Sequence, residues 1–487
     1  MNPKLIVLLL LPPLLGALFL TRFFQQSRMP LKTLFTVLAS TATGYALISF
    51  GLFLCYVLQP HYARLLTAVL PWFLVLGLLI RLAGTQTTPQ ACSLKQTLRQ
   101  CFFGGWNSPQ QILHSILSWF LIALLIYTLI NSAETLAGYM TWNAFGGWDA
   151  RYFWVLKARF LFRDPEQWRL MFSEWIASWG NHDYPLMVPG VMAWGWNFMG
   201  RESLLWPMII SGVFMFSLGG LMVWYLAAWR SWPAALAAAL FFFTLPAYQF
   251  WAGTLYNDIP YAFFSNGALL LLITALRQKE MRLFALAGFF AGCAAWTKNE
   301  GIIFLGWFGL LAGVSLIHER RISHKTVWPA LGAIAGGMVI PLLICLYFKL
   351  ALVGRETHLI KKSTPAEFWA ALTNWPRNQV IVQGFRMYMA DYKNWHGLWF
   401  LFAAAVVYWP VTRKVSPRPY SGLIILAIVL IHLGYAFVFT QTPNNIYKHI
   451  ETALMRLLLH TSALAVVFIF ETFGMLRPNA SISSPPS

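Results

Sequence analysis

The stretch LLWPMIISGVFMFSLGGLMVWYL, from Leu204 to Leu226, decides the fold class of this protein. It contains no charged side chain, and a helix of about 20 apolar residues is long enough to cross a bilayer. A strand of a membrane barrel would alternate polar and apolar residues, and this stretch does not. Because backbone groups in lipid must pair within their own segment, we predict that it forms a transmembrane helix.

Similar apolar runs recur along the whole chain of 487 residues. Hydrophobic residues make up 58% of the chain and charged residues 10%, whereas a soluble domain carries about 25% charged residues. We therefore predict an all-α polytopic integral membrane protein with about thirteen transmembrane helices. The predicted spans are 4–20, 34–58, 66–82, 112–130, 204–228, 233–250, 259–276, 283–297, 301–317, 328–352, 397–411, 421–440 and 451–473.

The spans divide the chain into six segments. The span at 4–20 is the least certain, because it is short, contains two prolines and could instead be a signal-like segment. The predicted segments are N-terminal transmembrane helices in 1–130, an outer loop with interfacial helices in 131–203, central transmembrane helices in 204–352, a second outer loop in 353–396, C-terminal transmembrane helices in 397–473 and a disordered tail in 474–487.

Basic residues in short loops predict the orientation, since lysine and arginine accumulate on the cytoplasmic side. Three such residues lie in each of the loops 277–282, 320–325 and 413–418, whereas 251–259 contains none. Alternation then puts both long loops outside. The same rule accounts for the net charge of +19, and no basic helix or RNA-binding pattern indicates a nucleic-acid partner.

Two stretches of the first loop have the composition of interfacial helices. The stretch 186–199 is apolar but would break the alternation if it crossed the membrane. Its tryptophans suit the headgroup level, so we predict a helix that lies in the interface or dips into it. The segment 141–160, TWNAFGGWDARYFWVLKARF, is predicted to form a second interfacial helix that begins at its Gly-Gly pair.

Four clusters of polar residues fall on the predicted outer face. They are Asp149 with Arg151, Lys157 and Arg159; N-H-D-Y-P from Asn181 to Pro185; Y-N-D-I-P from Tyr256 to Pro260; and T-K-N-E-G from Thr297 to Gly301. Ionisable residues near a membrane core are costly and are usually functional or paired. Each cluster also has a plainer explanation, because Asp149, Asp258 and Glu300 can each stabilise the start of a helix.

Taken together, the clusters predict an anion site. The helices that start at 259, 301 and 451 run from outside to inside, so their N-termini, which attract anions, gather on the outer face. Lys298 and Arg456 add positive charge that could hold a phosphate. Nearby carboxylates could act as a general base or bind a divalent cation. The sequence contains no P-loop or dinucleotide motif, so a lipid-linked phosphate fits better than a soluble nucleotide.

The same clusters resemble the motifs of a known family. The motifs are W-D-x-x-x-x-W from Trp148 to Trp154, Y-P-L from Tyr184 to Leu186, N-D-I-P-Y-A-F-F from Asn257 to Phe264, A-x-x-T-K-N-E-G from Ala294 to Gly301 and R-L-L-L-H from Arg456 to His460. In this order they resemble the GT-C superfamily of membrane glycosyltransferases, especially the family 39 group of protein-mannosyltransferase-like and aminoarabinose-transferase-like enzymes. The short second outer loop favours a bacterial-type member.

The resemblance implies that a sugar moves from a polyprenyl-phosphate donor to a lipid, glycan or protein acceptor. The transfer would invert the anomeric centre, on the outer side of a bacterial inner membrane and in contact with membrane lipids. Asp149 would be the catalytic base, with Asp258 as the second catalytic candidate. The expected substrate-binding residues are Lys157, His182, Asp183, Tyr184, Lys298, Asn299, Glu300, Arg355 and Arg456.

Two other classes of function remain open. A transporter or flippase of a lipid-linked or anionic solute would place its site near the midplane, often between duplicated halves. The sequence shows no duplicated halves, and its charges gather at one face. A non-catalytic membrane scaffold would not need acids at several separate helix starts.

Overall fold

The computed structural model describes residues 3–24, 27–67, 69–70, 109–320, 327–353, 364–415 and 420–473. These residues form helices and connecting loops, with no β-strand among them. Nine of their helices are long and apolar enough to cross a membrane, as expected of an all-α polytopic membrane protein. The candidate spans are Lys4–Phe24, Lys32–Leu58, Ser115–Trp142, Leu205–Trp229, Asp258–Gln278, Glu300–Ile317, Val327–Val353, Ser421–Gln441 and Ile446–Phe473.

The predicted number of thirteen spans is not confirmed, and the region 233–250 gives one reason. It forms two helices, Trp232–Phe243 and Pro246–Gly253, which are bent by 63° relative to each other. The proline ring at position 246 cannot continue the preceding helix. The pair is therefore a broken span or a re-entrant loop, although its apolar run is continuous in the sequence.

Two further predicted spans form apolar helices that are shorter than the nine candidate spans. The helix Met281–Thr297 has 17 residues, and the helix Leu398–Val415 is apolar over Leu398–Thr412 only. The predicted span 66–82 falls mostly outside the described residues, and the tail 474–487 falls wholly outside them. In the part of the chain that the structure describes, the apolar runs coincide with helices, and nine of these helices meet the length and hydropathy expected of a span.

The two long loops contain the shorter helices. The first holds a π-helical segment Ala150–Val155, then Leu156–Arg163, a 3₁₀ segment Pro165–Phe172, Glu174–Gly180 and Met187–Met199; the second holds Pro365–Leu372, Trp375–Met389 and Tyr392–Trp395. The helix Pro109–Trp142 continues past residue 130, so the first loop begins after Trp142 and not at 131. A second π-helical segment, Phe348–Val353, ends the Val327 span.

The Met187–Met199 helix, which its tryptophans placed in the interface, is instead buried within the protein. Trp194 and Trp196 have no exposed surface. Gly195 lies so close to Trp206 that any side chain there would clash with the indole, and the Trp206 N–H donates a 2.9 Å hydrogen bond to a backbone carbonyl of the helix. These rings therefore pack against neighbouring helices of the protein, and the interfacial depth of the helix stays a prediction.

The helix Asp258–Gln278 lies at the centre of the bundle. Its whole span is buried, and it packs against the helices Leu205–Trp229, Met281–Thr297 and Ile446–Phe473. Close packing of this kind provides much of the stability of helices in lipid. Because a helix rises 1.5 Å per residue, its two ends lie about 30 Å apart and belong to opposite ends of the bundle.

A buried ion pair joins four helices at the Gln278 end. Glu471 pairs with Arg277 at 3.2 Å and accepts hydrogen bonds from the hydroxyls of Tyr225 and Ser421. Arg277 belongs to a basic loop that we predict to be cytoplasmic. The polar clusters of the predicted outer face lie at the other end of the bundle.

Candidate active site

A cavity of about 560 Å³ lies at the end of the bundle where the central helix begins. We call it the charged cavity. Eight of the eleven predicted site residues line it, namely Asp149, Asp183, Tyr184, Asp258, Lys298, Asn299, Glu300 and Arg456. They come from the first loop, from two helix starts and from the last span, so the separate clusters of the sequence share one cavity.

Asp149 stands at the start of the π-helical segment Ala150–Val155, two residues after Gly147. Gly146 has a φ of +83°, which turns the chain sharply at a conformation that glycine adopts easily. The Asp149 side chain makes no capping hydrogen bond to the helix and forms an ion pair with Arg456 instead. It is 21% exposed, more than the other three acids of the cavity. The simpler explanation, that Asp149 only caps a helix, does not hold.

The aromatic rings of this segment divide into two sets. Trp148 and Tyr152 are exposed and pack on each other, with ring centroids 4.7 Å apart. Phe153 and Trp154 are buried and line the charged cavity. The interfacial helix predicted at 141–160 is therefore exposed on one side only, and its other side forms part of the site.

Asp258 is the centre of a buried charge network. Its Oδ1 lies 2.9 Å from Lys298 Nζ and 2.9 Å from His460 Nε2, and its Oδ2 lies 4.0 Å from Arg456. Lys298 also pairs with Glu300 at 2.8 Å. Burial alone would lower the pKa of Lys298, but the two carboxylates raise it above its ordinary value, so this lysine stays charged. Asp258 and Lys298 neutralise each other in the cavity wall.

His460 belongs to this network, although the sequence analysis did not assign it to the site. Its Nδ1 lies 2.7 Å from the Tyr435 hydroxyl, while its Nε2 contacts Asp258. The Asp258 carboxylate can only accept, so Nε2 donates to it. In the neutral imidazole Nδ1 then accepts a hydrogen bond, which the Tyr435 hydroxyl donates. The sequence spacing could have predicted its place in the site, because His460 follows Arg456 by four residues and so lies on the same helix face.

A second group of polar residues forms the opposite part of the wall. Asn299 Nδ2 donates a 2.7 Å hydrogen bond to Asp183 Oδ2, and Lys349 Nζ donates one of 2.5 Å to Asn299 Oδ1. Lys349 also donates to the Asp183 carbonyl, and its nearest carboxylate oxygen is 4.0 Å away. Lys349 was not among the predicted site residues. It is the one charged residue in the predicted span 328–352, and a charge within a span is itself an indication of function.

Two predicted site residues lie behind the cavity wall, and a third, Arg355, lies outside the described residues. Lys157 is buried and donates 2.9 Å hydrogen bonds to the carbonyls of Asn181 and Tyr184. Burial lowers the pKa of Lys157 to about 7. His182 is also buried. Lys157 therefore supports the N-H-D-Y-P loop from behind.

Part of the cavity wall is aliphatic and continues onto the outside of the bundle. Ile302, Leu346 and Leu350 line the cavity and are each at least 43% exposed. Lys349 lies between Leu346 and Leu350 in the chain, so the cationic side of the cavity adjoins this exposed aliphatic surface.

The charged cavity does not have the pattern of a metal centre. Among the described residues, no group of three or more His, Cys, Asp or Glu side chains is placed to hold a metal ion. The carboxylates are each engaged by lysine, arginine or asparagine instead. We assign no step to a divalent cation.

Comparison with protein-family models, with curated proteins and with solved structures finds no match for this chain. The fold and the site themselves define a class, a helical membrane protein with a charged cavity at one end of its bundle. The function of the protein is therefore inferred from the side chains of that cavity.

Proposed function

We propose that this protein is a membrane glycosyltransferase of the GT-C type. It transfers a sugar from a polyprenyl-phosphate donor to a lipid, glycan or protein acceptor on the non-cytoplasmic face of a bacterial inner membrane. The observation that carries the proposal is the combination of four carboxylates and three cationic side chains with an exposed aliphatic wall in one cavity. Such a site suits a substrate that has an anionic head and a hydrocarbon tail.

Asp149 is the general base in this proposal, because it is the most accessible acid of the cavity. It takes the proton of the acceptor hydroxyl as that oxygen bonds to the anomeric carbon. The bond between this carbon and the donor phosphate breaks, and its electron pair stays on the phosphate oxygen. One displacement inverts the anomeric centre. Asp258, engaged by Lys298 and His460, holds the network in place.

The donor phosphate fits best beside Lys349. Lys298, one of the two phosphate ligands expected from the sequence, is already paired with two carboxylates at 2.9 and 2.8 Å and is only 5% exposed. Lys349 is 18% exposed and has its nearest carboxylate oxygen at 4.0 Å. A cation in that position, together with Arg456, stabilises the charge that the leaving phosphate develops. Leu346 and Leu350 then adjoin the polyprenyl tail.

Transport of a lipid-linked or anionic solute is the second candidate function. The observation that favours it is the 63° bend between Trp232–Phe243 and Pro246–Gly253, because broken helices are frequent in transporters. Trp251 of the second helix lies 5.6 Å from the Arg456 guanidinium, so the bend adjoins the ion pair of the charged cavity. A transporter would move the substrate across the membrane without forming a glycosidic bond.

The test begins with mass spectrometry of glycans and glycolipids from a deletion strain, which names the missing sugar and its acceptor. Purified protein in lipid nanodiscs is then assayed for transfer of that sugar from its polyprenyl-phosphate donor. Asp149→Asn should lower the rate about 10²–10⁴-fold, since it removes the base. Asp164→Asn is the matched control, because Asp164 is an exposed acid of the same loop and should leave the rate unchanged.

Two outcomes would refute parts of this proposal. Unchanged transfer by a normally expressed Asp149→Asn variant would remove Asp149 as the base. Movement of the sugar lipid across the membrane with no covalent product would favour the transporter.

A further inference from the structure

Tyr256 contacts both residues of the Asp149–Arg456 ion pair. Its hydroxyl accepts a 3.2 Å hydrogen bond from the backbone N–H of Asp149. Its ring centroid lies 5.0 Å from the guanidinium carbon of Arg456. The Trp251 ring lies 5.6 Å from the same guanidinium carbon and 5.6 Å from the Tyr256 ring. The two rings therefore pack against the Arg456 guanidinium, and the Tyr256 hydroxyl also contacts the Asp149 backbone.

The first loop fits closely onto Tyr256. The N–H of Gly147 donates a 3.0 Å hydrogen bond to the Thr254 carbonyl. A Cβ atom added to Gly147 would lie 2.8 Å from the Tyr256 hydroxyl, closer than real Cβ contacts come. Asp149 follows two residues later, so its position depends on this contact.

We propose that Tyr256 is a positioning residue with two separable functions. Its hydroxyl fixes the backbone of Asp149, and its ring holds Arg456 when a donor phosphate draws this arginine away from the acid. The inference rests on the proposed function and adds regulation to it. In the absence of donor, Arg456 neutralises the base, and donor binding releases the base for the acceptor.

The contacts of Arg456 suit such an exchange. Its Nε donates a 3.1 Å hydrogen bond to the Thr452 carbonyl, which anchors the side chain on its own helix. The planar guanidinium binds a phosphate as readily as a carboxylate, through parallel N–H donors. An aromatic face stabilises an arginine that has left its carboxylate partner. Burial, with a smaller contribution from the Asp149 charge, raises the pKa of Tyr256, so its hydroxyl stays neutral.

The experiment follows carbodiimide labelling of Asp149 by mass spectrometry, with the full-length protein in lipid nanodiscs. Without ligand the ion pair should protect Asp149, and polyprenyl monophosphate should raise its labelling several-fold. Polyprenol should have no effect because it lacks the charge. Labelling of the exposed Asp164 is the internal control. An equal response to inorganic phosphate would overturn a lipid-linked ligand as the cause of release.

Two variants separate the hydroxyl from the ring. Tyr256→Phe should raise the labelling of Asp149 without ligand and lower the transfer rate about tenfold, the equivalent of one well-placed hydrogen bond. Its affinity for polyprenyl monophosphate should stay within twofold of wild type. Tyr256→Leu should also weaken that affinity about tenfold, because Arg456 loses a stabilising ring.

The proposal is overturned if Tyr256→Phe matches wild type in both labelling and transfer rate. It is also overturned if Tyr256→Leu binds polyprenyl monophosphate as tightly as wild type. Should the leucine variant fail to fold, the phenylalanine variant decides alone. Labelling changes without any sugar transfer would refute the glycosyltransferase and leave the positioning function of Tyr256 intact.

Discussion

Replacing Lys298 by methionine tests the charge network in the cavity wall. Lys298 lies 2.9 Å from Asp258 and 2.8 Å from Glu300, and it is 5% exposed. Methionine has a similar shape but no charge, so the variant leaves two carboxylates without their shared cation. Glu300 depends on this lysine most, because its Oε1 pairs with Lys298 and its buried Oε2 has no hydrogen-bond partner.

Removing one partner of a buried ion pair costs about 3–5 kcal/mol, since the other charge stays uncompensated. His460 and Arg456 still face Asp258 in the variant, which reduces the loss for that carboxylate. We therefore expect a loss of unfolding free energy near the lower limit, about 3 kcal/mol. Adding Glu300→Gln should recover about 1 kcal/mol or more, because it removes the carboxylate that has least remaining support.

The assay is chemical unfolding of the purified variants in one detergent at neutral pH. Lys393→Met is the matched control, because Lys393 is exposed in the second loop and its loss should change stability by less than about 0.5 kcal/mol. If Lys298→Met unfolds with the same free energy as this control, the network does not stabilise the fold and the reasoning fails.

Two further predictions concern lysines. Lys157 has a pKa of about 7 when folded and an ordinary lysine pKa when unfolded, so above about pH 7 the unfolded chain binds more protons and stability rises with pH. Lys157→Met should lack that rise in unfolding scans at pH 7 and pH 9, and parallel curves would contradict the burial of the charge. Lys349→Met should weaken binding of polyprenyl monophosphate about tenfold or more, because a charge-assisted contact is lost; unchanged binding in nanodiscs would assign the phosphate elsewhere.

Much of the charged cavity could be predicted from helix starts. Asp258 and Glu300 each begin a long apolar helix, and alternation of spans puts such starts on one face. Asp149 and Arg456 follow from the same topology. Local pattern and hydropathy are therefore enough to bring these residues to one end of the bundle, because a membrane helix has few ways to lie in a bilayer.

The rest depends on tertiary contacts that no local pattern contains. Tryptophans suit a headgroup layer and a protein interior equally well, and only the close fit of Gly195 against Trp206 decides where the Met187–Met199 helix lies. An apolar run likewise does not reveal the bend before Pro246. Lys349 was not predicted as a site residue, because a single charge within a long apolar run still fits a transmembrane span.

The ion pair between Asp149 and Arg456 joins residues that are 307 positions apart in the chain. Ribosomes add about 5–20 residues per second, so roughly 15–60 s separate the synthesis of the acid from that of its partner. During this time the nascent protein carries Asp149 without the cation that neutralises it. A chain that stops before Arg456 cannot complete the cavity, so truncated products in the membrane lack the site.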